Sequence, residues 1–275
     1  MKKMNDVLQR KVLCALLAVA AMGVSVNVQA GTFYSTGNSA FQFVSSKTSN
    51  KDIKRKEIVN TENEFAGMQI SKRIYNATPV TVNLRGNVDI DVENTGSAPA
   101  LAKGITAGIY STIPKSVKAG AKITSTLGAE GSSSVKVKAK GNQYVSGIQL
   151  LGQSGYHGPQ MTINGKELNV SAESTGNYAH GIYVANTTSD LGGKDTTKLV
   201  INSENTVIHA KTDTKEHEIG IATYSQGQVE VNGNLEVNAA NAIVTRGGST
   251  ISINKNGDKT VKINGDILFD YDAAT

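Results

Sequence analysis

Asp89, Asp91 and Glu93 alternate with Val88, Ile90 and Val92, which sets three carboxylates at i, i+2 and i+4 on one strand face. Neighbouring Cα atoms on such a face lie about 6.5–7 Å apart, a separation that suits a glycosidase acid–base pair or a Ca²⁺ site. An ordinary strand with a solvated outer face requires the same alternation, and the three aliphatic residues already account for it. Lys215-Glu216-His217-Glu218 holds metal-ligating residue types, but no second histidine stands at i+4, so the segment reads as a loop. His157 and His209 are isolated, and His180 precedes Gly181 in a recurring slot and reads as scaffold. Gly-x-Ser-x-Gly is absent after residue 30, and no strand–loop–helix context supports a phosphate loop. Asn76-Ala77-Thr78 and Asn186-Thr187-Thr188 match the N-glycosylation pattern. No residue is assigned to catalysis, to a cofactor or to a metal.

Two basic groupings need a reading. Lys51, Lys54, Arg55 and Lys56 are interrupted by Asp52 and Glu57, with no aromatic residue between them, and read as a solvated stretch. Lys118, Lys122, Lys136, Lys138 and Lys140 give residues 115–141 a positive bias. Lys136 and Lys138 alternate with Val135 and Val137, so they point outward, where lysines blunt edge pairing and aid solubility. Neither grouping argues for nucleic acid.

The elements that must hold these side chains are short strands of period two. Val80, Val82 and Leu84 are followed by Val88, Ile90 and Val92 beyond Gly86-Asn87. Met161 and Ile163 precede Asn164-Gly165, and Leu168, Val170 and Ala172 follow it; Val229 and Val231 stand in the same relation to Asn232-Gly233 and Leu235. Ile251, Ile253, Val261 and Ile263 lead to Asn264-Gly265. A second element, Gly followed by an aliphatic residue, recurs at Gly67-Met68, Gly108-Ile109, Gly147-Ile148, Gly181-Ile182 and Gly220-Ile221, with Ala242-Ile243 as a weaker copy. Ala107-Gly108-Ile109-Tyr110 rhymes with His180-Gly181-Ile182-Tyr183, and Val229/Val231 map onto Ile251/Ile253. Such drifting recurrence is a repeat signature. Asn-Gly between alternating strands predicts hairpins when taken alone. Strands with two or three inward residues returning in one order fit a parallel β-helix better, with Asn-Gly as a corner. The polar intervals Ser97–Lys103, Ser111–Ser134 and Asn186–Thr197 read as projecting loops.

The ends bound the compartment. Lys2, Lys3, Arg10 and Lys11 precede the uncharged run Val12–Val26 and then Val28-Gln29-Ala30, the layout of a secretory signal peptide cut after Ala30. The run is shorter than the ~20 residues of a transmembrane helix, which argues against a short anchor. The sole cysteine, Cys14, leaves with the leader. Of the net charge of +5, the leader supplies +3 (four basic residues, one aspartate), so the mature part is nearly neutral at 24 basic and 22 acidic residues. Tryptophan is absent and aromatic residues are 5% of the chain, so small β-branched side chains must build the core. Residues 31–75, with Phe33, Tyr34, Phe41 and Phe43 and a charged run, read as an N-terminal cap or linker, and residues 76–275 as the coil.

The leader, the cysteine-free mature chain, the Asn-Gly strands and the Gly-Ile-Tyr elements together resemble the N-terminal passenger of a bacterial autotransporter of type V secretion. That resemblance implies an all-β, right-handed parallel β-helix of the pectin-lyase-like kind, at the cell surface or outer membrane or released outside. It implies an adhesion or display scaffold without catalysis, whose partners are glycans or proteins of a host or neighbouring cell, with no nucleic acid and no membrane span in the mature chain. The family's C-terminal translocator barrel is expected but absent from this chain, which ends at Tyr271-Asp272-Ala273-Ala274-Thr275 and reads as truncated. Two further readings stay open: a polysaccharide-active enzyme using Asp89, Asp91 or Glu93, and a non-functional N-terminal fragment of a truncated autotransporter.

Overall fold

The structure is a computed structural model that describes residues 38–72, 78–97, 101–109, 122–153, 156–187 and 195–270. The leader, Phe33, Tyr34, Tyr110, Lys118 and the Asn76-Ala77 pair lie outside the described residues. The chain is all-β and winds in turns of three strands. The first two turns hold β1 (Asn38–Phe43), β2 (Lys47–Ser49) and β3 (Ile53–Val59), then β4 (Phe65–Lys72), β5 (Val80–Leu84) and β6 (Val88–Asn94). The third holds β7 (Leu101–Ile109), β8 (Ile123–Leu127) and β9 (Ser134–Gly141), and the fourth β10 (Tyr144–Gly152), β11 (Gln160–Ile163) and β12 (Glu167–Ser174). The fifth holds β13 (Tyr178–Asn186), β14 (Lys198–Ile201) and β15 (Asn205–Thr212). After β16 (Glu218–Tyr224) and β17 (Gln228–Val231), the long strand β18 (Asn234–Arg246) passes through a corner from the sixth turn into the seventh. β19 (Thr250–Ile253) and β20 (Val261–Asp270) follow.

Each strand pairs with its counterparts one turn before and after, and every pairing described is parallel. The result is three faces: β1-β4-β7-β10-β13-β16-β18, then β2-β5-β8-β11-β14-β17-β19, then β3-β6-β9-β12-β15-β18. Parallel strands cannot be hairpin partners, so the Asn-Gly steps are corners. The asparagines at this corner stack, including Asn202, which precedes Ser203: Asn202 Nδ2 donates to Asn164 Oδ1 at 3.0 Å, and Asn232 Nδ2 to Asn202 Oδ1 at 2.9 Å. The glycine is needed for close approach. A Cβ at Gly165 would lie 2.3 Å from the Ser133 carbonyl oxygen, and one at Gly233 1.8 Å from that of Ser203. Gly165 also has φ +132°, which disfavours any other residue.

The period-two pattern fills the interior. On face three, Ile90, Val137, Val170, Ile208, Val237 and Ile263 stack turn on turn. On face one the stack is Met68, Ile105, Ile148, Ile182, Ile221 and Ile243, all at 0% exposure except Ile243 at 5%. Each such side chain contributes about 1.5–3 kcal/mol by leaving water, which compensates for the scarcity of aromatic bulk.

The glycine before each of these residues meets face three. Cβ atoms built at Gly67, Gly147, Gly181 and Gly220 would fall 2.3–2.4 Å from methyls of Ile90, Val170, Ile208 and Val237. In the third turn the glycine in this ladder is Gly104, not Gly108. Ile105 pairs with Met68 and Ile148, while Gly108 pairs with Ser71 and Leu151. β7 carries two Gly-Ile steps four residues apart, and only Gly104 sits against Val137, at 2.2 Å from the built Cβ. His180 therefore shares its slot with Lys103, Ser146 and Ile219, not with Ala107.

Three other expectations change. The interval Ser111–Ser134 contains a full strand, β8, whose inward Ser125 breaks the aliphatic pattern. Ser97–Lys103 runs into β7 from Leu101. The sheets also begin inside residues 31–75, since β1 to β4 already pair in register with the turns above them. The first turn nonetheless differs in kind. Arg55 and Glu57 take inward positions of β3, where Arg55 Nε donates to Glu57 Oε2 at 2.7 Å, so Arg55 is not part of a solvated run. On this first described turn an ion pair takes the place that aliphatic side chains hold in later turns. Among the described residues no helix is long and apolar enough to cross a membrane.

Candidate functional site

The outer wall of face three gathers the charged residues singled out above. Register sets Lys54, Asp89, Lys136, Asn169, Val207, Glu236 and Lys262 in one file, and Lys56, Asp91, Lys138, Ser171, His209, Asn238 and Asn264 in the next. Glu93, Lys140, Glu173 and Lys211 form a third. The acidic row is thus sandwiched between two lysine rows. Lys54 Nζ lies 3.9 Å from Asp89, Lys56 Nζ 3.5 Å from Asp91, and Lys140 Nζ 3.3 Å from Glu93. Lys136 and Lys138 point outward as expected, Lys140 does so too, and their row cancels part of the acidic one.

This setting bears on the chemistry those acids could do. A glycosidase pair needs one carboxyl shielded enough to act as an acid. Here the three side chains remain 43%, 35% and 30% exposed, each beside a lysine. His209 stands on the same wall, but three strand spacings from Asp91, about 14 Å. Asp91→Asn is expected to be nearly silent, because exposed ion pairs contribute ~1 kcal/mol or less. Thermal unfolding followed by circular dichroism should shift by no more than about 4 °C; a loss several times larger would show that Asp91 anchors the face.

The remaining singled-out residues scatter. Lys215–His217 forms a short 3₁₀ turn, and the Glu218 carboxylate accepts from the backbone N–H groups of Thr212 and Ala240 at 3.2 Å each. His217 Nδ1 donates to the Asn177 carbonyl at 2.9 Å. His157 pairs with Asp195 at 2.9 Å, and Lys122 reaches the same carboxylate at 2.8 Å, which ties three loop roots together and holds the Asp195 carboxyl below its ordinary range. Asn186 is buried, its amide bonded to the Ser225 carbonyl at 2.8 Å and its oxygen accepting from Thr197 Oγ1 at 2.7 Å. Among the described residues no group of three His, Cys, Asp or Glu could hold a metal ion.

An aromatic cluster on the outer side of face one was not expected. Tyr178 stacks on His217 at 3.9 Å between centroids, His180 on Tyr183 at 5.2 Å, and Tyr183 meets Tyr224 at 5.5 Å, with the Arg246 guanidinium over the Tyr224 ring. The Tyr144 hydroxyl and His180 Nδ1 share a hydrogen bond of 2.7 Å. The signal was readable: Tyr144-x-x-Gly-Ile and Tyr178-x-x-Gly-Ile are copies one turn apart. Two of these contacts are stacked and the others tilted or edge-on, and Tyr178 remains 37% exposed.

Burial, and secondarily His217 nearby, lowers His180 from its ordinary value to about 3, while burial raises the Tyr144 hydroxyl. Unfolded His180 gains its proton near pH 6.5 and the folded residue near 3, so stability falls between those values by about 1.4 kcal/mol per pH unit. Melting temperature should drop on acidification from pH 6.5 to 3.5 in the native chain and much less in His180→Gln; parallel profiles would remove His180 as the cause.

No protein-family model, no curated protein and no solved structure matches this chain.

Proposed function

We propose that this chain is an exported display scaffold of the autotransporter-passenger kind, wound as a right-handed parallel β-helix, which adheres through its outer walls and catalyses nothing. The observation that carries the reading is the file structure of face three. A continuous wall of polar and charged side chains is presented at fixed spacing by a rigid coil, with its acids engaged by lysines. The winding hand follows from the near-universal handedness of parallel strand crossovers. The leader routes the chain to the cell surface or the medium, where glycans or proteins of a host or neighbouring cell are its partners.

Adhesion is the test. Beads coated with the exported chain are mixed with animal and with bacterial cells. They should be retained well above albumin-coated beads, and the exported product should begin at Gly31. Retention no better than albumin contradicts the adhesive role. The enzymatic reading predicts new reducing ends from polysaccharide that disappear in the Asp91→Asn chain; their appearance would replace adhesion with cleavage.

A further inference from the structure

Side-chain length carves a trough into the outer wall of face three. The third turn presents Lys136 and Lys138, the fourth only Asn169 and Ser171, and the fifth Val207 and His209. The long Lys136 and Lys138 on one side and His209 on the other, about 9.6 Å apart at the backbone, therefore stand above the shorter Asn169, Ser171 and Val207. The open space is about 360 Å³, a shallow groove open to solvent whose second-turn end is lined by Asp89 and Asp91.

Its charge is uneven. Asp89 and Asp91 are already engaged by Lys54 and Lys56 on their far side. Lys138 approaches Glu173 at 3.9 Å, and Lys136 forms no ion pair among the described residues. Lys54, Lys56, Lys136 and Lys138 thus share Asp89, Asp91 and Glu173, and the one lysine in excess, Lys136, lines the trough, as do Lys138, Asp89 and Asp91. Opposite, Val207 leaves an aliphatic surface 38% exposed in a polar wall.

We propose that this trough binds an acidic saccharide, with a carboxylate or sulfate at Lys136 and Lys138, ring hydroxyls over Asn169 and Ser171, and the apolar ring face against Val207. The inference rests on the adhesive reading above and names its ligand class. The one aromatic ring in the trough is the His209 imidazole at its rim; no Phe, Tyr or Trp is there to stack a base. The floor is the middle of a fully paired sheet, so an extended peptide finds no strand edge to join.

The test titrates the full chain at low salt with a sulfated octasaccharide of the heparin type, a glucuronate octasaccharide of the hyaluronan type, neutral maltooctaose and an octaglutamate peptide. At least one acidic saccharide should bind, and the neutral sugar should not. Binding of only the sulfated or only the glucuronate oligomer identifies which anion is read. Lys136→Ala with Lys138→Ala should weaken binding about tenfold or more, since each removes a charge-assisted contact. Asn169→Ala with Ser171→Ala should weaken it several-fold at unchanged charge, whereas Lys51→Ala with Lys255→Ala, remote from the trough, should not. Far-UV circular dichroism of each variant should match the native chain. The proposal is overturned if neither acidic saccharide binds. It is also overturned if octaglutamate binds equally well, or if the remote lysine pair matters as much as Lys136 and Lys138. A chain that still coats beads adhesively but ignores both saccharides loses this ligand class alone; one that does neither loses the adhesive reading too.

Discussion

Ile182→Asp is expected to abolish the folded coil. Ile182 has 0% exposure and lies between Ile148 and Ile221 in the face-one stack. A carboxylate there would enter an aliphatic ladder with no paired cation, and an unpaired buried charge costs several kcal/mol or more even after relaxation. Since a domain retains about 5–15 kcal/mol in all, this one change approaches the total. The strand signal in far-UV circular dichroism should collapse and trypsin should cleave throughout the chain. A melting temperature equal to that of the native chain would mean that Ile182 does not face inward.

Gly181→Ala tests the corner between faces one and three. The added methyl would lie 2.4 Å from Ile208 Cγ2 and 2.7 Å from the Gly220 carbonyl oxygen of the next turn. The side chain can shift, but the carbonyl belongs to the parallel ladder and cannot. Overpacking of this kind costs about 1–3 kcal/mol, and the backbone contact argues for the upper part of that range. Ile208→Ala by itself should also destabilise, by about 2–5 kcal/mol, through the cavity it leaves. In combination the losses should fall short of additive, because the smaller side chain relieves one clash. Urea denaturation of the four chains gives the coupling; strict additivity would separate Gly181 from Ile208.

The parallel coil was legible because its interior is simple. Val80 to Leu84, Leu168 to Ala172 and Leu235 to Ala239 each show two or three inward residues, and Asn-Gly marks the same corner at residues 164 and 232. What the sequence hid has physical causes. β8 escaped because Ser125 takes an inward place and polar neighbours surround the strand. The third-turn glycine was misplaced because β7 offers two Gly-Ile steps, and only contact with Val137 separates them. Arg55 looked solvated because an inward ion pair on the first described turn has the composition of a loop.

The candidate wall was harder still. Its files depend on register between strands whose separations vary: 47 residues divide Val88 from its partner Val135, but 26 divide Leu235 from Val261. Loops of different length leave the coil without disturbing the pairing above and below them. Sequence spacing therefore could not show that Asp89 and Asp91 lie beside Lys136 and Lys138, nor that short Asn169 and Ser171 follow the lysine row on the next turn. The outward direction of each residue was readable from alternation; its neighbours were not.

Everything proposed for the outer wall rests on β9 and β12 running parallel in the observed register. Cysteine pairs test this directly, since the sole native cysteine, Cys14, is more than a hundred residues from either strand in sequence. Lys136 is paired with Asn169, and Lys140 with Glu173, at the close Cα distance a disulfide requires. Lys136→Cys/Asn169→Cys and Lys140→Cys/Glu173→Cys should each oxidise rapidly to an intramolecular disulfide with the fold intact. Lys136→Cys/Glu173→Cys, displaced by about 13 Å along the strand, should not. Rapid closure of this last pair, with failure of the first two, would mean antiparallel strands and would contradict the coil.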